Sequence, residues 1–278
     1  MSRIAARFAA LRAADRGALI PFISACDPDR ATSMEILRGL PGAGADLIEV
    51  GMPFTDPMAD GPTIQAAGLR GLKGGATVAV TLGMVREFRE GDAETPVVLM
   101  GYLNPIDSYG PERFCADAVA AGVDGVIIVD LPPEESQLIL PHAAAHGLDF
   151  VRLVAPTTDE ARLPTVLEGS SGFVYYVSIT GITGTRSATA ESLEAALPRF
   201  RAATRLPIAI GFGIRTPAQA ANAARLADAV VVGTALIDTL AASLDAEGRA
   251  GPETAQRVLE QMRGLSEGVR GARRTVAA

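Results

Sequence analysis

Eight short apolar runs, rich in β-branched residues, recur at roughly 25-residue intervals, and each is followed by a helical pattern. Continuous apolar strands alternating with amphipathic helices call for a parallel sheet covered on its outer face. Eight such units in 278 residues predict an α/β fold, a single (β/α)8 barrel of the TIM type. An additional N-terminal helix precedes it. The alternative is a doubly wound open sheet. That fold places a Gly-rich phosphate turn after its first strand, where this chain reads Ser24-Ala25-Cys26-Asp27-Pro28.

Ile4, Phe8 and Leu11 share one face of the N-terminal helix and are expected to cover the bottom of the domain. Ala18 to Ser24 reads as the first strand and Ala31 to Leu40 as its helix. Asp46 to Val50 is the second strand, followed by a helix from Pro62 to Leu72. Pro96 to Gly101 and Pro111 to Ala121 form the third unit, Gly125 to Val129 and Glu134 to His146 the fourth. Asp149 to Leu153 with Thr158 to Leu167 is the fifth, Phe173 to Val177 with Ala190 to Ala202 the sixth. Pro207 to Ile210 with Pro217 to Arg225 is the seventh, and Ala229 to Val232 with a helix from Ala235 onward the eighth. The barrel with its N-terminal helix is expected over 1–265. Residues 266–278, with Arg270, Arg273 and Arg274, are expected to form a flexible C-terminal tail.

Composition narrows the function. A net charge of -7 argues against nucleic acid, which wants a basic surface. No apolar run reaches the ~18 residues of a membrane span, so no membrane association is expected. Cys26 and Cys115 are far apart without metal or redox spacing, which suits free thiols and a cytoplasmic location. Arg3, Arg7 and Arg12 superficially imitate a transit peptide, but the apolar face of a structural helix explains that segment as well.

The most informative stretch is Asp46 to Gln65, DLIEVGMPFTDPMADGPTIQ. Glu49 lies near the end of a buried strand. Burying an unpaired acid is costly, so it is either satisfied by backbone N–H groups or an Arg, or it is functional. Pro53, Pro57 and Pro62 stiffen the loop that follows. That loop returns a second acid, Asp60, just before a helix that Pro62 can start. Two carboxylates in unlike environments suit acid–base work.

Three glycine clusters follow the last three strands: Gly181-Ile182-Thr183-Gly184, Gly211-Phe212-Gly213-Ile214 and Gly233-Thr234. Glycine lets main-chain N–H groups approach an anion. Gly233-Thr234 also opens a helix, whose start favours negative charge. Together they predict a phosphate site made of backbone donors, where barrels often hold one. Phe22, Met100, Ile127, Val129, Leu153, Phe212 and Val231 lie at or near strand ends; most are expected to be core, and a few facing the mouth between acids and glycines would hold a flat apolar ring.

Other chemistries fit poorly. The single lysine, Lys73, follows the second helix, away from the strand C-termini, so a Schiff-base aldolase is excluded. His142 and His146 have ligand spacing but no companion acids or cysteines, so no metal is expected. What remains is carboxylate acid–base chemistry on a phosphate ester.

The stretch from Glu49 to Pro62 closely resembles the active-site motif of the tryptophan synthase α subunit family. That motif is a strand ending in Glu, then Gly-x-Pro-Phe-[Ser/Thr]-Asp-Pro-x-Ala-Asp-Gly-Pro. The resemblance spans about Phe8 to Gly264 and includes Asp27-Pro28-Asp29, Asn104-Pro105 and Asp130-Leu131-Pro132-Pro133-Glu134. It implies retro-aldol cleavage of indole-3-glycerol phosphate to indole and glyceraldehyde 3-phosphate, with Glu49 transferring protons and Asp60 accepting the indole N–H. It implies that Gly184, Gly213, Gly233 and Thr234 hold the phosphate. Tyr175 would be a substrate contact, though a core tyrosine is an equal reading. Thr183, within Ile179 to Ala190, would close a lid onto Asp60. Asp56, Asn104, Pro105 and Pro132 would lie near a partner β subunit in an α2β2 heterotetramer, where docking can bias loop closure allosterically. No cofactor is implied for this chain, since pyridoxal phosphate belongs to the β subunit. Cys26 stands where the family usually carries glycine. A free-standing indole-3-glycerol-phosphate lyase and a non-catalytic, phosphate-binding activator remain the alternatives.

Overall fold

A computed structural model describes residues 2–177, 190–211 and 213–272. Its sheet is wholly parallel, in the order β5-β4-β3-β2-β1-β9-β8-β7-β6. The strands are β1 (Ala18–Ser24), β2 (Ile48–Gly51), β3 (Val97–Gly101), β4 (Gly125–Ile128), β5 (Asp149–Phe150), β6 (Arg152–Val154), β7 (Val174–Val177), β8 (Ile208–Gly211) and β9 (Ala229–Val232). The two edge segments, β5 and β6, are halves of one stretch of chain. They are joined at Val151, whose N–H donates to the Val126 carbonyl at 3.0 Å. β5 pairs with β4 and β6 with β7, so the sheet closes on itself. The expected fifth strand is thus present but broken into two pieces, and the eightfold barrel stands.

Alternation along each strand sorts the side chains. In β2, Ile48 and Val50 pack outward among the helices. Leu47, just before it, points inward with Ile20, Val98, Ile127 and Phe173. Glu49 lies on that same inward parity. Helix α1 (Arg3–Ala13) plugs the strand-start end as expected, burying Ile4, Phe8 and Leu11. Phe8 meets Phe173 at a 5.9 Å ring separation. A Cβ on Gly125 would come within 3.1 Å of Ile4 Cδ1, so the plug fits against bare backbone.

The helix layer departs from expectation in several places. Helix α2 (Arg30–Gly39) matches, but two helices follow β2: α3 (Pro62–Lys73) and α4 (Val78–Arg89). The sequence reading assigned no element to α4. It was legible: Thr77 accepts from Val80 N at 3.1 Å as N-cap, and Leu82, Val85 and Phe88 form one buried face. α4 packs against α2 and, after α5 (Leu103–Tyr109), against α6 (Pro111–Ala121), whereas α3 lies against β1 and α11. The expected single helix from Glu134 to His146 is a 3-10 turn, Pro133–Leu138, then α7 (Leu140–His146). Only Leu163–Leu167 of the fifth helix forms, as α8. The later helices α9 (Ala190–Ala203) and α10 (Pro217–Leu226) are close to expectation.

The C-terminal end needs the largest correction. α11 (Thr234–Ala242) is followed by a separate long helix, α12 (Thr254–Gly271). The segment expected as a tail from residue 266 is instead helical through Gly271, with Ser266 and Val269 buried within α12. Val258, Met262, Leu265 and Val269 keep one apolar face at spacings of four, three and four. α12 packs on α10, α11 and α2, bridging the last helices of the ring to the first.

Cys26 takes the conformation that glycine would ease. Its φ is +59°, a region costly for a side chain. Its buried sulfur contacts Met84 Sδ at 3.7 Å. Beside it, Asp27 accepts two hydrogen bonds from Arg70 of α3, at 2.6 and 2.9 Å. Gly71 and Gly74 sit where a Cβ would strike the Ala25 and Cys26 carbonyls at 2.4 and 2.3 Å. The first loop and α3 are therefore locked together. Among the described residues, no helix is long and apolar enough to cross a membrane.

Candidate active site

Glu49 is 0% exposed. Neither carboxylate oxygen has a hydrogen-bond partner among the described residues. Burial alone pushes its pKa from an ordinary 4.5 up to about 8. β2 places it opposite Phe22 of β1 and Val98 of β3. Gly51, two residues on, leaves room for Phe22, whose ring carbon would lie 2.6 Å from any Cβ there. Across the barrel, Tyr175 of β7 also points inward. Its phenol is pushed well above its usual value by burial and then by the Glu49 charge. Gly211 of β8 makes that position possible, since a Cβ there would fall 2.1 Å from the Tyr175 hydroxyl.

Asp60 reaches the same space from the loop before α3. Its N–H donates to the Pro57 carbonyl at 3.0 Å, and the Gln65 amide donates to its carbonyl at 2.8 Å. The Ala59 N–H donates to the Tyr102 hydroxyl at 3.0 Å. Burial raises the Asp60 pKa to about 6, against a lowering hydrogen bond from Tyr102. The Tyr102 phenol is itself raised by burial and by the Asp60 charge. Two acids thus titrate in different ranges, one dry and unpartnered, the other held by a phenol.

Glu49, Asp60, Phe22, Tyr175, Gly213, Gly233 and Thr234 all line one cleft. Gly213 has a φ of +77°, which glycine adopts without strain. Thr234 opens α11, and the first N–H groups of a helix have no intrahelical acceptor. Met100 and Val231 line the cleft as expected. Thr183, Gly184 and Phe212 lie outside the described residues. Asp56, Asn104 and Pro132 are exposed and Pro105 half-exposed. They follow β2, β3 and β4, so they form one arc of rim on the acid side. Met58 on that arc is 85% exposed. Lys73 ends α3 and does not line the cleft. Among the described residues, no group of three or more His, Cys, Asp or Glu is arranged to hold a metal.

Sequence reasoning missed Tyr102, Ile64 and Arg215, which belong to the cleft or to its acids. Tyr102 directly follows β3, and a polar aromatic just past a strand end was the available signal. The fold and cleft together define a (β/α)8 barrel whose mouth brings two carboxylates, Glu49 and Asp60, into one cleft with the glycine-bearing ends of the last strands. More closely, the chain belongs to the tryptophan synthase alpha chain family, whose model matches residues 8–269. A tryptophan synthase alpha chain of Gluconacetobacter diazotrophicus is 69% identical over 273 residues, 98% of this chain and 100% of that one. One of Granulibacter bethesdensis is 67% identical, covering 98% of each. The crystal structure of the Legionella pneumophila tryptophan synthase subunit alpha superposes with a TM-score of 0.88 at 38% identity, covering 97% of this chain and 98% of that one. A Mycobacterium tuberculosis tryptophan synthase chain gives 0.85 at 38% identity, with 97% and 98% covered.

Proposed function

We propose that Glu49 and Asp60 carry the retro-aldol cleavage of indole-3-glycerol phosphate to indole and D-glyceraldehyde 3-phosphate. As a family member the chain is a lyase of tryptophan biosynthesis, and this cleavage is its reaction. The observation that carries the assignment is an unpartnered buried acid sharing one cleft with the glycine corner.

At neutral pH the raised pKa keeps Glu49 mostly protonated. It donates that proton to the indole ring carbon that bears the side chain, and the ring nitrogen becomes cationic. The Glu49 carboxylate then removes the proton of the adjacent hydroxyl. The carbon–carbon bond breaks as the aldehyde forms, and its electron pair returns to the ring. Indole is released and Glu49 is again protonated. Asp60, ionised, accepts the indole N–H and stabilises the positive charge that builds there. Activity therefore rises as pH passes the Asp60 value of about 6 and falls as it passes the Glu49 value of about 8. The first N–H groups of α11, with those around Gly213, hold the phosphate. Phe22, Met100 and Val231 form an apolar bed for the ring.

The partner in this reading is a tryptophan synthase β subunit, in an α2β2 heterotetramer. Whole tryptophan synthases among the structural neighbours support it. The arc of Asp56, Asn104, Pro105 and Pro132 is the docking surface. The chain itself uses no cofactor, pyridoxal phosphate residing in the β subunit, and works in the cytoplasm. Indole release by the purified chain, with and without its cognate β subunit, tests this. Strong activation by the β subunit supports the reading. Full turnover alone would indicate a free-standing lyase, and none in either case a non-catalytic activator.

A further inference from the structure

The corner described so far grips phosphate with main-chain groups only. Among the described residues, one cation stands beside it. Arg215 lines the same cleft as Gly213, Gly233 and Thr234. Its backbone is fixed, with its N–H donating to Gln219 Oε1 at 2.8 Å where α10 begins. Its side chain is 44% exposed, and Nη1 reaches Asp238 Oδ2 at 2.6 Å. Asp238 lies on α11, the helix whose start faces the phosphate, and is 42% exposed. Its other oxygen accepts the Thr63 hydroxyl at 3.2 Å, in the first turn of α3, three residues after Asp60.

We propose that Arg215 is a further substrate-binding residue, exchanging Asp238 for the substrate phosphate when the cleft fills. A guanidinium has five N–H donors in a fork that matches phosphate, and among the described residues its side chain pairs with Asp238. An ion pair this exposed holds little energy. A phosphate dianion at the α11 start carries more charge than a carboxylate and gathers the guanidinium to itself. Asp238 parks the cation at the rim while the cleft is empty, and its own charge opposes the incoming anion. Removing each partner should therefore shift substrate affinity in opposite directions. A merely structural pair would make both variants behave alike.

This inference rests on the cleft taking a phosphate ester, as proposed above. The test is steady-state cleavage of indole-3-glycerol phosphate by the full chain with its cognate β subunit. Wild type, Arg215→Gln and Asp238→Asn are compared at low and high salt. Arg215→Gln should raise KM about fivefold with kcat nearly unchanged, and flatten the salt dependence of kcat/KM. Asp238→Asn, which keeps an acceptor for Thr63, should lower KM about twofold. Shifts of both variants in the same direction, or none in either, would overturn the proposal. Calorimetric titration with inorganic phosphate should follow the same order without requiring turnover. Absence of indole release by wild type would instead defeat the functional assignment, and the phosphate titration would still decide the role of Arg215.

Discussion

Buried acids occur at both ends of this barrel, and their accounts differ. At the strand-start end Asp46 accepts two bonds from Arg16, at 2.9 and 2.6 Å, and one from the Leu19 N–H at 2.9 Å. Asp124 accepts from Arg3, Arg89 and the Val97 N–H at 2.9, 2.7 and 2.8 Å. Asp228 takes the Ile208 N–H at 2.9 Å. In each case an acid just before one strand accepts an N–H from the first or second residue of a neighbouring strand. At the mouth, Glu49 is fully buried and has no such partner among the described residues. A satisfied buried acid holds strands together. An orphaned one has its charge penalised by burial, and so keeps a proton ready to give.

The contrast can be broken at either end. The largest effect expected is on Glu49→Gln, with turnover falling about 10³-fold or more, measured as kcat for indole release. Its stability should not fall with it. Because the folded-state pKa is raised, Glu49 favours folding fully only below the ordinary 4.5. That contribution is lost as pH rises through about 8. Above this window the fold carries the whole penalty of an ionised buried carboxylate. Thermal melts of Glu49→Gln should therefore match or exceed wild type at pH 9 and lose the dependence between those values.

Asp124→Ala should do the reverse. It strips the Val97 N–H of its acceptor and leaves Arg89 half-buried without its carboxylate, at a cost of about 3–5 kcal/mol. Denaturant titration should show that loss, while kcat below the transition stays near wild type. Asp60→Asn should cost about 10²-fold in kcat, with little change in melting temperature. The smallest effect belongs to Tyr102→Phe. The hydroxyl that lowers the Asp60 pKa is gone, so the acid limb of the pH–rate profile should move above about 6. Turnover at neutral pH should fall a few-fold, roughly one hydrogen bond's worth.

What could be read from sequence follows the same division. Strands announced themselves because β-branched runs leave few other options; β1 and β9 carry the expected bounds. α4 and α12 were missed although their apolar faces were periodic, because a unit of one strand and one helix left no place for a second helix. Glu49 and Asp60 were legible by residue type and by a loop motif of high specificity. That Glu49 has no partner was not legible, since sequence names a residue and not its neighbours. The proposed anion corner is suggested only through glycine, which exposes amides by lacking a side chain. Arg215 was passed over because main-chain donors alone seemed sufficient. Tyr102 escaped because a tyrosine after a strand reads equally well as core.

The titration of Glu49 itself is the most direct test. Carboxyl-labelled glutamate followed by NMR across pH, with Glu49→Gln to assign the signal, should show one glutamate titrating at about 8. A Glu49 signal that titrates in the ordinary glutamate range would mean that the side chain is solvated or paired, and the account of a dry acid poised to give its proton would be contradicted.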